Sequence, residues 1–300
     1  MRNTWFSWVL FVILCLIWGS SFYLMKVGMD KLSAYQVASL RMLTAGLVLV
    51  PFVKKAWQSI PRNRVGLVMG SGLLGSFLPA YLFCLAETKI DSAMAGILNA
   101  LTPLFTLLVG ILFFQLKARK IQVGGTCIGF LGLVLLITTG SELHLSNLSY
   151  SFLVMAATLM YGFNVNMVGR YMRGFRAIDI AALAFVMLII PSLIILLMTG
   201  YGNLPIWQSD YLQSTLAAGI LGILGTAIAS ILFYILVKRA GPVFASMVTY
   251  GIPVVAIGWG LLRHEYIGEK QVLSLLIILV GVYLVNRPEK KKPDIDASGL

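Results

Sequence analysis

The chain reads as a series of long apolar blocks separated by short polar ones. Ten blocks can be counted, at about residues 6–27, 34–53, 65–86, 92–114, 121–139, 149–169, 178–199, 213–236, 242–262 and 270–286. A helix needs about 20 apolar residues to cross the hydrocarbon core of a bilayer. The pattern therefore predicts ten spanning helices joined by short connections. The longest stretches outside them are 54–64, 200–212 and the tail from Arg287, which is polar and charged. The first block is too long for the core of a signal peptide, and no small-residue cleavage site follows it. It is read as an uncleaved spanning helix.

The blocks repeat. With Pro103 set over Pro253, an offset of 150, Gly72, Leu74, Gly75, Phe83, Ala95, Gly110 and Lys120 meet identical residue types at Gly222, Leu224, Gly225, Phe233, Ala245, Gly260 and Lys270. Ser76 meets Thr226. Earlier in each half, Trp18-Gly19 meets Tyr161-Gly162 at an offset of 143. Five spans per half is an odd number, so the second half enters the membrane the opposite way round. Repeated apolar segments broken at matching places are typical of membrane transporters.

Composition agrees with a membrane solvent. Of 300 residues, 59% are hydrophobic and 11% charged, against about a quarter charged in soluble domains. The net charge of +12 invites a nucleic-acid reading, which the distribution of charge removes. With the N-terminus in the cytoplasm, seventeen basic residues fall on the inner face and five on the outer face, and Arg41 alone lies within a span. The positive-inside rule then predicts that both termini are cytoplasmic. Cys15, Cys84 and Cys127 lie in apolar blocks without metal-like spacing, and His144 and His264 are far apart. Neither a metal motif nor a nucleophile elbow is present, so the chain is not read as an enzyme, and no cofactor is called for.

Several motifs, in order, resemble the EamA-type transporters of the drug/metabolite transporter superfamily. They are Trp18-Gly19-Ser20-Ser21-Phe22, Leu40-Arg41, Leu101-Thr102-Pro103 and the Gly124-Gly125, Gly129, Gly132 series, followed by Pro253, Glu265 and Gly281 in the second half. The likeness covers about residues 6–286. It implies export of small metabolites, with amino acids as the substrate class most often met. The chain departs from the family pattern at Gln115, where the first half would carry a Glu, and at Tyr161-Gly162-Phe163-Asn164, where the first-span signature has eroded.

Pro103 and Pro253 are the first candidates for a substrate path. Proline has no amide proton and clashes with the carbonyl four residues back, which frees the carbonyls of Asn99 and Thr249. Inside a bilayer such carbonyls are tolerated only against protein or a water-lined cavity. Polar residues near these bends complete the candidate lining: Asn99, Thr102, Thr249 and Tyr250, with Trp18, Ser21, Tyr81, Tyr161, Asn164 and Tyr234 on other spans. Interhelical hydrogen bonding is the competing role for each. Arg41 is expected either to pair with a carboxylate or substrate, or to snorkel from about seven residues inside its span, ~10 Å. Gly66, Gly70, Gly125 and Gly129 suit close helix approach, within the chain or across a homodimer face.

These readings converge on an all-α polytopic membrane protein with ten transmembrane helices in two inverted five-helix repeats. The repeats are 6–139 and 149–286, with a cytoplasmic tail at 287–300. The expected function is transport of a small organic solute across the plasma (bacterial inner) membrane by alternating access. A non-transporting scaffold or sensor is the alternative. The expected partners are the solute and lipid, without nucleic acid.

Overall fold

A computed structural model describes residues 4–90, 92–138, 148–252, 255 and 269–287. Within these residues regular structure is helical throughout. The elements are α1 (Thr4–Met29), α2 (Ala34–Ser59), α3 (Arg62–Ala86), α4 (Ser92–Asn99), α5 (Thr102–Phe114), α6 (Lys120–Thr138), α7 (Leu148–Tyr171), α8 (Ala177–Met198), α9 (Ser209–Ala240), α10 (Pro242–Ile252) and α11 (Glu269–Asn286). Six of these helices are long and apolar enough to cross a membrane, and the shorter apolar helices account for the remaining predicted spans. Side chains such as Met198, Phe152, Leu112 and Phe113 lie on the outside. Lipid receives such a surface without cost, so helix association here rests on close packing and hydrogen bonds rather than on exclusion from water.

The packing is reciprocal between halves. α1 lies against α9, and α7, its counterpart, lies against α3. The second spans α2 and α8 pack on each other, as do the fifth spans α6 and α11. Close approaches at glycine repeat the same relation. A methyl placed on Gly19 would lie 2.9 Å from Val255 Cβ, and one on Gly162 would lie 3.0 Å from the backbone of Phe105. Gly19 and Gly162 differ by 143 in number, Phe105 and Val255 by 150, the two offsets of the duplication. Gly46 packs against Ile189, its own counterpart at 143, and so lies on the pseudo-two-fold axis. The duplicated sequence has folded into a duplicated structure.

Three local features shape the interior. α2 begins with a capping box: Ser33 Oγ accepts from the Gln36 amide, and the Ser33 amide donates to Gln36 Oε1 at 2.8 Å. This satisfies free donors at the start of the helix that carries Arg41. The fourth predicted span is two helices, broken by a turn at Ala100–Leu101 just ahead of Pro103. The break therefore precedes the proline, which occupies the first turn of α5, where its missing N–H leaves no helical bond unmade. Third, α3 and α9 each contain a π-helical turn, at Leu73–Phe77 and Ile223–Ile228. These start 150 residues apart, so the wide turn belongs to the repeat. A π turn inside an α-helix holds one extra residue, and such turns recur at functional sites. Pro253 and Glu265 lie outside the described residues.

Candidate functional site

The two π turns face a common cavity at the junction of the halves. It measures about 110 Å³, counted as the space open to the centres of water molecules. A single water needs roughly 10–15 Å³ on that measure, so the cavity has room for a small organic solute. Its walls come from both halves: Trp18, Ser21, Arg41, Ser76, Asn99 and Thr102 from the first, Tyr161, Asn164, Thr226, Ser230, Tyr234, Ser246 and Thr249 from the second. Phe22, Phe83, Phe233 and Met25 supply apolar wall. A second hollow of about 640 Å³ is lined by the ends of α1, α2 and α3, including Lys26 and Glu87. It draws its walls from one half only.

Several wall residues are held by specific partners. The Trp18 indole donates to the carbonyl of Gly225, 3.0 Å away in the π turn of α9. The wide turn shifts backbone bonding away from the i→i−4 ladder, and a carbonyl becomes available to a side chain from another helix. Ser21 lies over Gly225 and Asn164 lies over Gly75; a methyl on Gly225 would come within 2.7 Å of Ser21 Oγ, and one on Gly75 would overlap the Asn164 amide. Ser21 and Asn164 are counterparts, as are Gly75 and Gly225. Asn164 Oδ1 accepts from Ser71 Oγ, which also lies 3.4 Å from the Tyr234 hydroxyl. Thr102 Oγ1 donates to the carbonyl of Asn99 at 2.6 Å. At the helix break no backbone amide among the described residues reaches that carbonyl, and the neighbouring hydroxyl takes it up.

Arg41 points inward. Its Nε donates to Thr226 Oγ1 at 2.6 Å, across the interface and into the π turn of α9. Among the described residues that line the cavity it contributes the one formal charge. Its counterpart at an offset of 143 is Ala184, so the charge breaks the internal symmetry of the cavity.

Of the sequence-derived candidates, Trp18, Ser21, Arg41, Asn99, Thr102, Tyr161, Asn164, Tyr234 and Thr249 meet at this cavity. Tyr81 and Tyr250 do not. The Tyr81 hydroxyl pairs with Ser39 Oγ at 2.8 Å, between α3 and α2. Tyr250 OH donates to the Thr126 carbonyl at 3.1 Å, and its ring covers Gly129. Both tyrosines pin helices together, the role that competed with lining in the sequence. Pro103 sits buried behind the wall, in the first turn of α5. Gly125 and Gly129 are taken up inside the chain: a methyl on Gly281 of α11 would lie 2.6 Å from the Gly125 carbonyl and from Gly129 Cα. Ser76, Thr226, Ser230 and Ser246 are wall residues that the sequence reading does not select. The signal that could have found the first two was their alignment, a polar pair matched at an offset of 150 inside apolar blocks.

A central cavity between two antiparallel repeats of apolar helices, lined by broken and widened helices, is the architecture of a membrane transporter. The EamA-like transporter family profile matches residues 5–138 and again 148–287. The chain belongs to that family. It is similar to YedA, an uncharacterized inner membrane transporter of Escherichia coli, with 29% identity over 283 residues, 91% of this chain and 88% of the relative. A probable amino-acid metabolite efflux pump of Escherichia coli is 26% identical over 130 residues, 43% of this chain and 42% of the pump. A solved crystal structure, 16% identical, superposes with a TM-score of 0.68 over 93% of this chain and 95% of its own. That likeness concerns the fold.

Proposed function

We propose that the protein is an exporter of small organic metabolites, amino acids or related neutral or zwitterionic compounds, in a bacterial inner membrane. The observation that carries this reading is the cavity walled by both repeats, with hydroxyl, amide and aromatic groups around the charge of Arg41. A solute of that size and mixed polarity finds hydrogen-bond partners and apolar contact in the same space. The resemblance of 130 residues of the chain to a probable amino-acid metabolite efflux pump supports the substrate class. The two halves rock about the cavity in alternating access, and both termini lie in the cytoplasm, as the basic residues near the span ends support.

The test is transport by the purified protein in liposomes loaded with a mixed pool of amino acids and related metabolites. Loss of particular solutes faster than from protein-free liposomes is expected. Equal retention of every solute in a broad panel contradicts the reading.

A further inference from the structure

Arg41 is placed as a recognition group rather than as a structural ion pair. Among the described residues no carboxylate pairs with it. Its partner is Thr226 Oγ1, which takes Nε alone. The two terminal nitrogens have no hydrogen-bond partner among the described residues, and the residue lines the cavity. A guanidinium held by Nε offers its outer edge, two parallel N–H donors, and that edge matches the two oxygens of a carboxylate. An uncompensated charge in a low-dielectric site is costly, and an anionic group arriving there offsets the cost.

The opposite wall differs in kind. The position corresponding to Arg41 is Ala184, and the residue corresponding to Ser21 is Asn164. Asn164 stands with Ser71 and Tyr234, a neutral group of hydrogen-bonding atoms. Phe22, Phe83 and Phe233 are further wall groups, without charge. A bound solute therefore meets a cation at one end and neutral polar and aromatic groups elsewhere.

We infer that Arg41, held in position by Thr226, recognises a carboxylate on the transported solute, and that the carboxylate group is required for binding. This rests on the transporter reading and narrows it to small monocarboxylates, whether their other substituent is an amine or a carbonyl. Thr226 is a positioning residue, which acts by fixing the direction of the fork. Its place in the π turn of α9 ties recognition by the first half to the backbone of the second.

The experiment measures binding, so that its failure and the failure of transport are separable. The purified full-length protein in detergent is titrated with leucine, phenylalanine and 4-methyl-2-oxopentanoate, and with the amide of each, and thermal stabilisation is followed. Charge-assisted hydrogen bonds of about 1.5–3 kcal/mol correspond to about ten- to hundredfold in affinity. The acids are expected to bind at least about tenfold more tightly than their amides. Arg41→Gln and Arg41→Lys are expected to collapse that ratio, Lys because it keeps the charge and loses the fork. Thr226→Val is expected to reduce the ratio and Thr226→Ser to preserve it. A merely structural role would weaken acids and amides together and leave the ratio unchanged. Should Arg41→Gln fail to fold, the Lys and Val variants carry the same comparison. Acids and amides that bind wild type equally, a ratio that persists in the Arg41 variants, or no binding of any acid at tens of millimolar overturns the inference. Selective binding of acids without any transport upholds it and removes the transporter reading instead.

Discussion

At the scale of single residues, the cavity depends on atoms that are absent. Gly75 and Gly225 let Asn164 and Ser21 lie directly on the helix backbone. A methyl group at Gly225 would come 2.7 Å from Ser21 Oγ, and overpacking of this kind costs about 1–3 kcal/mol. Gly225→Ala and Gly75→Ala are therefore expected to lower the thermal midpoint of the purified protein, with Gly75→Ala the larger effect. Gly66 has no neighbour for an added methyl within 4 Å, so Gly66→Ala should leave the midpoint unchanged or raise it. Equal midpoints for all the variants would remove the close approach from the account. Gln115 is a second instructive residue. It ends α5 in the left-handed region at φ 53°, and its Oε1 accepts from Arg170 Nη2 at 3.1 Å. The carboxylate expected from the family resemblance is replaced by an amide that keeps the acceptor and loses the charge.

At the scale of elements, breaks and wide turns separate this bundle from a stack of regular helices. The break before Pro103 is completed by the Thr102 hydroxyl on the Asn99 carbonyl. Removing that hydroxyl leaves a buried carbonyl without a partner, at about 1–3 kcal/mol. Thr102→Val is expected to lose that much stability in thermal or denaturant unfolding, and Thr102→Ser to retain it; a Val variant as stable as wild type would show that the carbonyl finds another donor. The break itself was legible in the sequence, because proline at a matched place in two apolar blocks has few other meanings. The π turns were not. One extra residue inside an apolar block changes neither composition nor length enough to be seen, and glycine at both sites is equally compatible with a regular helix in close contact. Nor does sequence give the azimuth of a side chain around its helix. In the sequence Tyr81 and Tyr250 are therefore indistinguishable from lining residues, while Ser230, a small hydroxyl among apolar neighbours, gives no signal. Arg41 drew attention by its charge alone, and only the fold revealed Thr226 as its partner across the halves.

At the scale of the whole molecule, the duplication predicts the architecture. Offsets of 143 and 150 in the sequence reappear as paired contacts: Gly19 with Val255 against Gly162 with Phe105, and Ser21 with Gly225 against Asn164 with Gly75. The inverted halves require opposite orientations, and the distribution of basic residues predicts cytoplasmic termini. Reporter fusions after residue 300 are expected to fluoresce as a cytoplasmic protein, while fusions within 200–212 should be active only as a periplasmic phosphatase. The reverse pattern would overturn the assignment. Passage of solute through the cavity the two halves share is read by counterflow in proteoliposomes. Vesicles preloaded with unlabelled amino acids should accumulate labelled amino acid transiently when they contain the wild-type protein. Vesicles with a folded Arg41→Gln protein should accumulate at least about tenfold less, the loss expected for one charge-assisted contact. Equal accumulation with both proteins would contradict the account, because the solute would then cross without touching the charge in the cavity.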